Sequence, residues 1–273
     1  MDTQADIAFI GGGNMAAAIV GGLVRAGHAP QAIVVVEPDA AARARLAAQH
    51  GVRTLAAADA ALAAAAVVVW AVKPQVFAAA AAPCAAHLRG ALQLSVMAGV
   101  RSAAIARATG SAAVVRAMPN TPALIGQGIS ALWASAAVSA AQRAEAERVL
   151  APTGRTIWVA AEADLDAVTA VSGSGPAYVY YLVEAMEAAA IGQGLPPAQA
   201  RELALATVAG AAALALHTGE PPALLRERVT SPGGTTHAAI SSLEADGVRA
   251  ALLRAIDAAH RRAQELGDAL DRG

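Results

Sequence analysis

Four hydroxyl residues and a glycine pair crowd into the eight-residue stretch Val229–Thr236, VTSPGGTT, of a chain otherwise dominated by alanine, leucine and valine. Gly233 and Gly234 remove side chains, so backbone N–H groups can approach an anion. Ser231 precedes them, and Thr235 and Thr236 add hydroxyl donors at what reads as a helix mouth. There, free N–H groups and the helix dipole favour negative charge. An ordinary N-cap explains one hydroxyl residue; four around a glycine pair predict an anion site. A second glycine cluster lies near the start. Gly11, Gly13 and Ala16 form G-x-G-x-x-A between the apolar run Ile7–Ile10 and an apolar helical pattern that ends at Gly27. Gly11 permits a tight turn, Gly13 lets the backbone approach a pyrophosphate, and Ala16 lets helix and strand pack closely. Glu37 ends the next strand, AIVVVEPD, at the spacing where an acidic residue binds a ribose 2′-hydroxyl. A carboxylate there favours NADH. Arg43 and Arg45 follow and could accept the 2′-phosphate of NADPH, although each alone is more simply part of a solvated helix face. The cofactor is left as NADPH or NADH.

These loops need elements to hold them. The segments 63–74 (AAAAVVVWAVKP), 92–100 (LQLSVMAGV) and 112–122 (AAVVRAMPNTP) are apolar runs that end in polar, proline- or glycine-marked turns. With helical segments between them, they give the βαβ rhythm of a parallel sheet. Such sheets bind ligands at the carboxyl ends of their strands. The turns VKPQ, MAGV and MPNTP should therefore line one crevice with the glycine loop. Lys73, in the first of them, could be an acid–base lysine, but a solvated side chain is the simpler reading. From Asp164 onward the pattern is helical. Ser174-Gly175-Pro176 marks one start, Gly192–Gly194 a stop, and Pro196–Pro197 the next start.

The helix expected from about Pro197 to His217 has only Thr207 and Gly210 interrupting its apolar surface between Leu203 and Leu216. A helix apolar all round must be buried all round, and a half-chain of roughly 110 residues hides two such helices poorly. A partner subunit is the natural cover; the alternative is an alanine-rich helix that tolerates partial exposure. The fold class expected is α/β: an N-terminal Rossmann-type parallel-sheet domain over 1–160, then an all-helical substrate-binding and dimerisation domain over 161–273.

Composition limits the remaining classes. At 56% hydrophobic residues the chain raises the question of a membrane, yet its longest apolar run, Ala60–Val72, is too short to span one. It reads as the end of a helix leading into a buried strand. The start, MDTQADIAFIGGG, lacks the basic residues of a secretion signal. A net charge of −1, with no basic cluster beyond Arg261–Arg262, gives nucleic acid no footprint. Cys84 is the single cysteine, which suits a cytoplasmic protein and a small core residue. The six histidines show no ligand spacing, so no metal is expected.

Taken together, FIGGGNMAAAIVGGL, AVKPQ, MAGV, VVRAMPNTPALIGQG, DAVTAVSGSGPAYVYYLVEAM and VTSPGGTTHAAISSLE resemble the pyrroline-5-carboxylate reductases, in order along nearly the whole chain. MPNTP, SGSGPAY and VTSPGGTT are specific to that family; the glycine loop alone is not. The resemblance implies a Rossmann domain, a helical domain that interlocks with a partner in a homodimer or larger homo-oligomer, and NAD(P)H-dependent reduction of 1-pyrroline-5-carboxylate to L-proline. It implies cofactor contacts at Gly11, Gly13, Asn14, Met15, Glu37, Ala71, Val72, Lys73 and Pro74. It places the substrate carboxylate at Ser231, Gly233, Gly234 and Thr235, and gives Thr236 the hydrogen bond to the ring nitrogen. Ser174 and Gly175 would start a second helix at the same crevice, with Asn120 closing it from the cofactor side. The chain departs from the family at Ala58, where an asparagine commonly contacts the adenosine ribose, and at Glu187–Ala190, where ADAG is frequent.

The chemistry suits these residues. A cyclic imine is basic enough to be partly protonated near neutral pH, so its reduction needs positioning more than a strong acid, and no catalytic His or Lys is evident. Two other readings compete. A hydroxyacid dehydrogenase with a helical domain needs a base, usually a lysine from that domain, and no lysine follows Lys73. A non-catalytic dinucleotide sensor would leave VTSPGGTT without a task.

Overall fold

The computed structural model describes residues 6–88 and 90–272. Residues 1–5, part of the stretch read as lacking a secretion signal, lie outside them. Runs of valine and isoleucine without polar alternation have to be covered on both faces, as in a parallel sheet. Such runs form β1 (Asp6–Ile10), β2 (Ile33–Val36) and β4 (Ala65–Trp70); β5 (Leu92–Ser95) and β6 (Val114–Met118) are buried too, although they carry Gln93, Ser95 and Arg116. Three more strands complete the sheet: β3 (Arg53–Leu55), β7 (Gly128–Ala134) and β8 (Gly154–Trp158). The order is β3-β2-β1-β4-β5-β6-β7-β8. β6 and β7 pair antiparallel, and every other neighbouring pair is parallel, with Ile7 opposite Ile33 and Ile10 opposite Trp70.

Helices α1 (Asn14–Arg25), α2 (Ala40–His50), α3 (Phe77–Ala81), α4 (Ser102–Thr109) and α5 (Ala140–Leu150) cover the sheet. Successive strand residues point to opposite faces, so Ile7 and Phe9 join one core with Ile19, Leu46 and Val149, while Ala8 and Ile10 join another with Trp70, Phe77 and Ile105. The segment expected as a helix end before β4 is a short 3-10 turn, Ala60–Ala64.

After β8 come α6 (Asp164–Val168), a π-helical turn at Thr169–Gly173, then α7 (Gly175–Gly192), α8 (Pro197–Thr218), α9 (Pro222–Arg228), α10 (Thr235–Ala245) and α11 (Val248–Arg272). The pattern switches from strand to helix near residue 160, but compactness divides the chain elsewhere. One unit ends at Ser174 and regains the chain from Ala259; the other spans Gly175–Ala258. The α6 segment stays with the first unit because Leu165 and Ala170 are buried there. The last turns of α11 belong to the first unit as well: Arg101 pairs with Asp268 at 2.5 Å and Asp271 at 3.0 Å.

In the second unit, only Val183 of α7 and Ala200 and Ala204 of α8 are buried. Leu203, Leu214, Leu216 and Tyr181 stand more than half exposed. The expected burial of α8 on all sides is not met within one chain. Among the described residues no single helix is long and apolar enough to cross a membrane; α8 and α9 reach that length only as a pair bent by 117°.

The start of α4 is closed from a distance. Both the amide and the hydroxyl of Ser102 donate to Glu162, each at 2.6 Å, and Arg116 Nη1 donates to the same carboxylate at 2.8 Å. Burial by itself raises the Glu162 carboxyl, but the two Ser102 bonds and the Arg116 guanidinium outweigh it and hold the group below its ordinary value. A depressed carboxyl stabilises the fold above its unfolded-state pKa, and that stabilisation is lost as pH falls through the folded value. Glu162→Gln is therefore expected to cost about 2–4 kcal/mol near neutral pH, since it leaves the Arg116 charge, only 7% exposed, without its counter-ion. It should also flatten the acid limb of stability below about pH 4. Denaturant unfolding of both proteins across that range checks it.

Candidate active site

Three consecutive glycines do three different things. Gly11 has φ +101°, and a Cβ there would fall 2.7 Å from the Ala71 carbonyl oxygen. It must be glycine for both reasons. Gly12 donates its N–H to Glu37 Oε2 at 2.7 Å, and a Cβ on it would lie 2.8 Å from Leu46 Cδ1. A Cβ on Gly13 would meet nothing within 4 Å. The loop is thus packed from behind at Gly11 and Gly12 and open in front at Gly13. Gly13 holds the N-cap position of α1, and no side chain caps that helix. Asn14 is exposed, Met15 is half-buried against the core and Ala16 is fully buried, as close helix–strand packing requires.

β1 and β4 are neighbours at the point where the strand order reverses, the usual place for a ligand in such a sheet. Ala71 and Val72 follow β4 directly against Gly11, Lys73 is exposed, and Pro74 is half-buried and opens a short 3-10 turn. Beside them lies a cavity of about 410 Å³, lined by Ile10, Val36, Pro38, Ala58, Val72 and Val76 among others. An open glycine loop before an uncapped helix fits a diphosphate, and an apolar cavity next to it fits an adenine ring. Glu37 lies between two lining residues and is held at both oxygens, by Gly12 N–H and by Asp39 N–H at 2.9 Å. Arg43 is not a simple solvated side chain: its Nη1 donates to the Glu37 and Pro38 carbonyls at 2.7 and 2.8 Å. Arg45 is exposed. Burial pushes the Cys84 thiol at the cavity wall up to about 11, which removes it from thiolate chemistry.

At the end of β6, Asn120 Oδ1 accepts the Ile129 N–H at 3.0 Å, tying the MPNTP turn to β7. A Cβ on Gly173 would fall 2.4 Å from Met118 Cε, so the π-helical turn lies against that same segment. Ser174 N–H donates to the Thr169 carbonyl at 2.8 Å. The sequence marks a helix start here; the structure runs a π turn straight into α7, a feature that recurs at functional sites. Ser174 is the last residue of the first compact unit and Gly175 the first of the second.

In the second unit, Gly233 has φ +73° and Gly234 N–H donates to Ser231 O at 3.0 Å, folding the loop under the start of α10. Gly234 is the N-cap, and no side chain caps this helix. Thr235 and Thr236 are its first two residues, so the ordinary hydroxyl cap is not what forms. Ser231 and Thr235 are exposed, Gly234 and Thr236 half-buried. Thr230 is spent elsewhere, donating to the Arg226 carbonyl at 2.6 Å. No group of three or more His, Cys, Asp or Glu among the described residues could hold a metal.

The roles of Gly12, Arg43 and the Arg116–Glu162 pair were not legible in the sequence, because each depends on a partner that only folding supplies.

A glycine loop at the sheet's switch point, followed by a helical region with an open helix mouth, defines a nicotinamide-dependent reductase with a helical second half. Residues 162–266 match the family profile described as pyrroline-5-carboxylate reductase dimerisation, and residues 6–99 match that of NADP oxidoreductase, coenzyme F420-dependent. The pyrroline-5-carboxylate reductase of Pseudomonas aeruginosa is 45% identical over 266 residues, covering 97% of each chain. That of Synechocystis is 42% identical, over 96% of this chain and 98% of its own. A solved pyrroline-5-carboxylate reductase from Coxiella burnetii matches with a TM-score of 0.89 at 38% identity, covering 96% of this chain and 98% of that one. The chain belongs to the pyrroline-5-carboxylate reductase family, and its reaction is the NAD(P)H-dependent reduction of 1-pyrroline-5-carboxylate to L-proline. The hydroxyacid dehydrogenase and sensor readings fall away.

The two ends of the glycine loop should respond differently to a side chain. Gly11→Ala is expected to cost about 2–4 kcal/mol, combining a left-handed φ with a backbone collision. Gly13→Val should melt within a few degrees of the parent, since its space is open, yet lose dinucleotide binding. Thermal melts and calorimetric titration of both variants check the contrast.

Proposed function

We propose that the start of α10 anchors the substrate carboxylate while the glycine loop of the first unit holds the dinucleotide. The observation that carries this is a helix N-terminus opened by Gly233–Gly234, left without a side-chain cap and followed at once by two threonines. Backbone N–H groups there, with the Ser231 and Thr235 hydroxyls, bind the carboxylate. The Thr236 hydroxyl donates to the ring nitrogen. Ser174 and Gly175 bound the ring on one side, and Asn120 holds the MPNTP turn in place toward the cofactor. Gly11, Gly13, Asn14, Met15, Glu37 and Ala71–Pro74 hold the dinucleotide. When bound, the reduced nicotinamide supplies the hydride that the imine carbon accepts. The chain's own residues fix the ring in register and exclude a second orientation, because carboxylate and nitrogen are read at adjacent points of one helix.

The helical half, residues 161–273, is the substrate-binding and dimerisation domain in this reading, and the protein works as a homodimer or larger homo-oligomer. The exposed leucines of α8 and the dimerisation profile over 162–266 support it. Neither nucleic acid nor a membrane is a partner, in keeping with a net charge of −1. A lone, buried, unreactive cysteine is compatible with a cytoplasmic location.

Oxidation of NADPH or NADH on adding pyrroline-5-carboxylate, followed by its absorbance, measures the reaction. Thr236→Ala should lower kcat by about 10–100-fold, the loss expected for one well-placed hydrogen bond that strengthens as the nitrogen loses its cationic character. Gly234→Ala should instead raise KM with kcat nearly kept, because its methyl would fall 3.1 Å from the Ser231 carbonyl oxygen and shift the loop that holds the carboxylate. A Thr236→Ala enzyme with parental kcat and KM would remove Thr236 from the reaction.

Assembly gives a separate expectation. Sedimentation should show a dimer or larger species, and Ala211→Glu in α8 should yield monomer or aggregate, since it places an unpaired carboxylate in an apolar contact. A stable native monomer would contradict the assignment.

A further inference from the structure

We infer that Glu162 is a positioning residue for hydride transfer, an inference that rests on the glycine loop being the dinucleotide site. Its carboxylate ties together the two turns, after β5 and after β6, over which the nicotinamide end of the dinucleotide lies. The adenine-sized cavity takes Val36, Pro38, Ala56, Ala57 and Ala58 into its wall, residues at and just beyond the ends of β2 and β3. With the diphosphate at Gly13, the other end of the molecule runs the opposite way along the sheet, over the ends of β4, β5 and β6. There the chain leaves β5 at Ser95 and does not enter α4 until Ser102, and it leaves β6 at Met118.

The β5–β6 ladder stops short of both turns, with Ser95 opposite Arg116 as its last register pair. Glu162 takes over where the ladder ends. Its Oε1 accepts the Ser102 N–H at 2.6 Å and Arg116 Nη1 at 2.8 Å, and its Oε2 accepts the Ser102 hydroxyl at 2.6 Å. Ser102 closes the first turn and Arg116 lies just before the second, so one carboxylate spans both. Close packing is not what holds them here, because a cavity of about 210 Å³ opens among Gly99, Arg101, Arg116, Glu162 and Asp166. The Arg116 side chain is buried, and its Nε finds no acceptor among the described residues. A buried ion pair with a donor left over adds little stability beyond what an apolar pair would give; what this one fixes is place. The other side of the first turn is held by α11. Arg101 pairs with Asp268 and Asp271, and Gly99, at φ +78°, lies against Gly267 and Leu270. A nicotinamide seated on turns held in this way meets the imine carbon at one distance, and a displacement of about 1 Å costs roughly 100-fold in rate.

The test sets two substitutions of Glu162 against each other in the full-length protein. Glu162→Asp keeps the charge but withdraws the carboxylate by one carbon–carbon bond, about 1.5 Å, so it cannot reach Ser102 and Arg116 together. Glu162→Gln loses the charge but keeps the reach, its amide nitrogen donating to the Ser102 hydroxyl oxygen. The kcat of Glu162→Asp should fall by about 10–100-fold. Its Kd for whichever of NAD⁺ and NADP⁺ the parent binds more tightly should stay within about threefold, because the adenine and diphosphate contacts are untouched. Glu162→Gln, although less stable, should keep kcat within about threefold of the parent. With a dinucleotide deuterated at the transferred hydrogen, the isotope effect on kcat in Glu162→Asp should equal or exceed the parent's, since the loss lies in hydride transfer. Melting curves set an assay temperature at which each variant is folded. If Glu162→Asp does not fold, Ser102→Ala carries the test, with kcat lowered about threefold or more by the loss of one of the three bonds. Parental kcat in the folded variant that carries the test overturns the role of Glu162. So does a smaller isotope effect, or an equal loss of kcat in Glu162→Asp and Glu162→Gln, which would mark charge and not reach as the cause. A parent that binds neither dinucleotide in calorimetric titration overturns the glycine-loop site itself.

Discussion

Backbone N–H groups at the start of a helix can hold an anion only if nothing else in the protein claims them. Several helices in this chain answer theirs internally. Asp39 caps α2, Ser139 and Gln142 form a reciprocal capping box on α5, and Glu162 takes the first amide of α4. Helices α8 and α9 begin with proline, which brings no N–H. α1 and α10 have glycine at the N-cap and no side-chain acceptor; α3 and α6 also start without a side-chain cap, behind Val76 and Ala163. A glycine N-cap in place of a capping side chain costs only about a few tenths of a kcal/mol, and these two glycine-capped starts fall at the glycine clusters that the reaction's two anionic ligands, a diphosphate and a carboxylate, would need.

The rest of the first unit keeps that arrangement in place. Gly11 lets β1 turn tightly against Ala71, and Gly12 lets Leu46 and Glu37 close behind the loop. This wall leaves the loop open only on the Gly13 side, where a Cβ would meet nothing within 4 Å. The MPNTP turn is held in the same way, from Asn120 to Ile129 and from Met118 to Gly173. Positioning of this kind suits a substrate whose nitrogen already tends to carry its proton, because the catalyst then has more to orient than to ionise. The absence of a lysine after Lys73 agrees with that division of labour.

Much of this was legible in the sequence, and the limits of legibility have physical causes. β2, β4 and Ile7–Ile10 of β1 are buried on both faces, so they announce themselves as unbroken apolar runs; β5 and β6 are buried as well but carry Gln93, Ser95 and Arg116. β3 has three residues and an exposed Arg53, and β8 is an edge strand of mixed exposure, so neither leaves such a run. The antiparallel turn into β7 depends on Asn120 reaching Ile129, a contact that no local pattern encodes. Gly11 was readable because its positive φ and the close approach of Ala71 restrict the residue type; Gly13 has neither restraint within the chain, and its assignment comes from the motif spacing alone. Arg43 was not readable, since its carbonyl partners come within reach only after α2 forms. The apolar surface of α8 was plain in the sequence, and one chain leaves it uncovered; that content bears on assembly more than on the fold of a single chain. The return of α11 to the first unit rests on Arg101 meeting Asp268, 167 residues away in the chain, which periodicity cannot reveal.

The central claim is that a helix mouth reads the carboxylate of a five-membered nitrogen ring. Its most direct test is the heat of binding of the product, L-proline, compared with that of L-prolinamide, to the full-length protein in the presence of oxidised dinucleotide. The two differ only in the group that α10 is held to recognise. Saturable binding of proline, with prolinamide weaker by roughly tenfold or more, is the predicted result, because one charge-assisted contact set is lost. Equal affinity for the two would contradict the account.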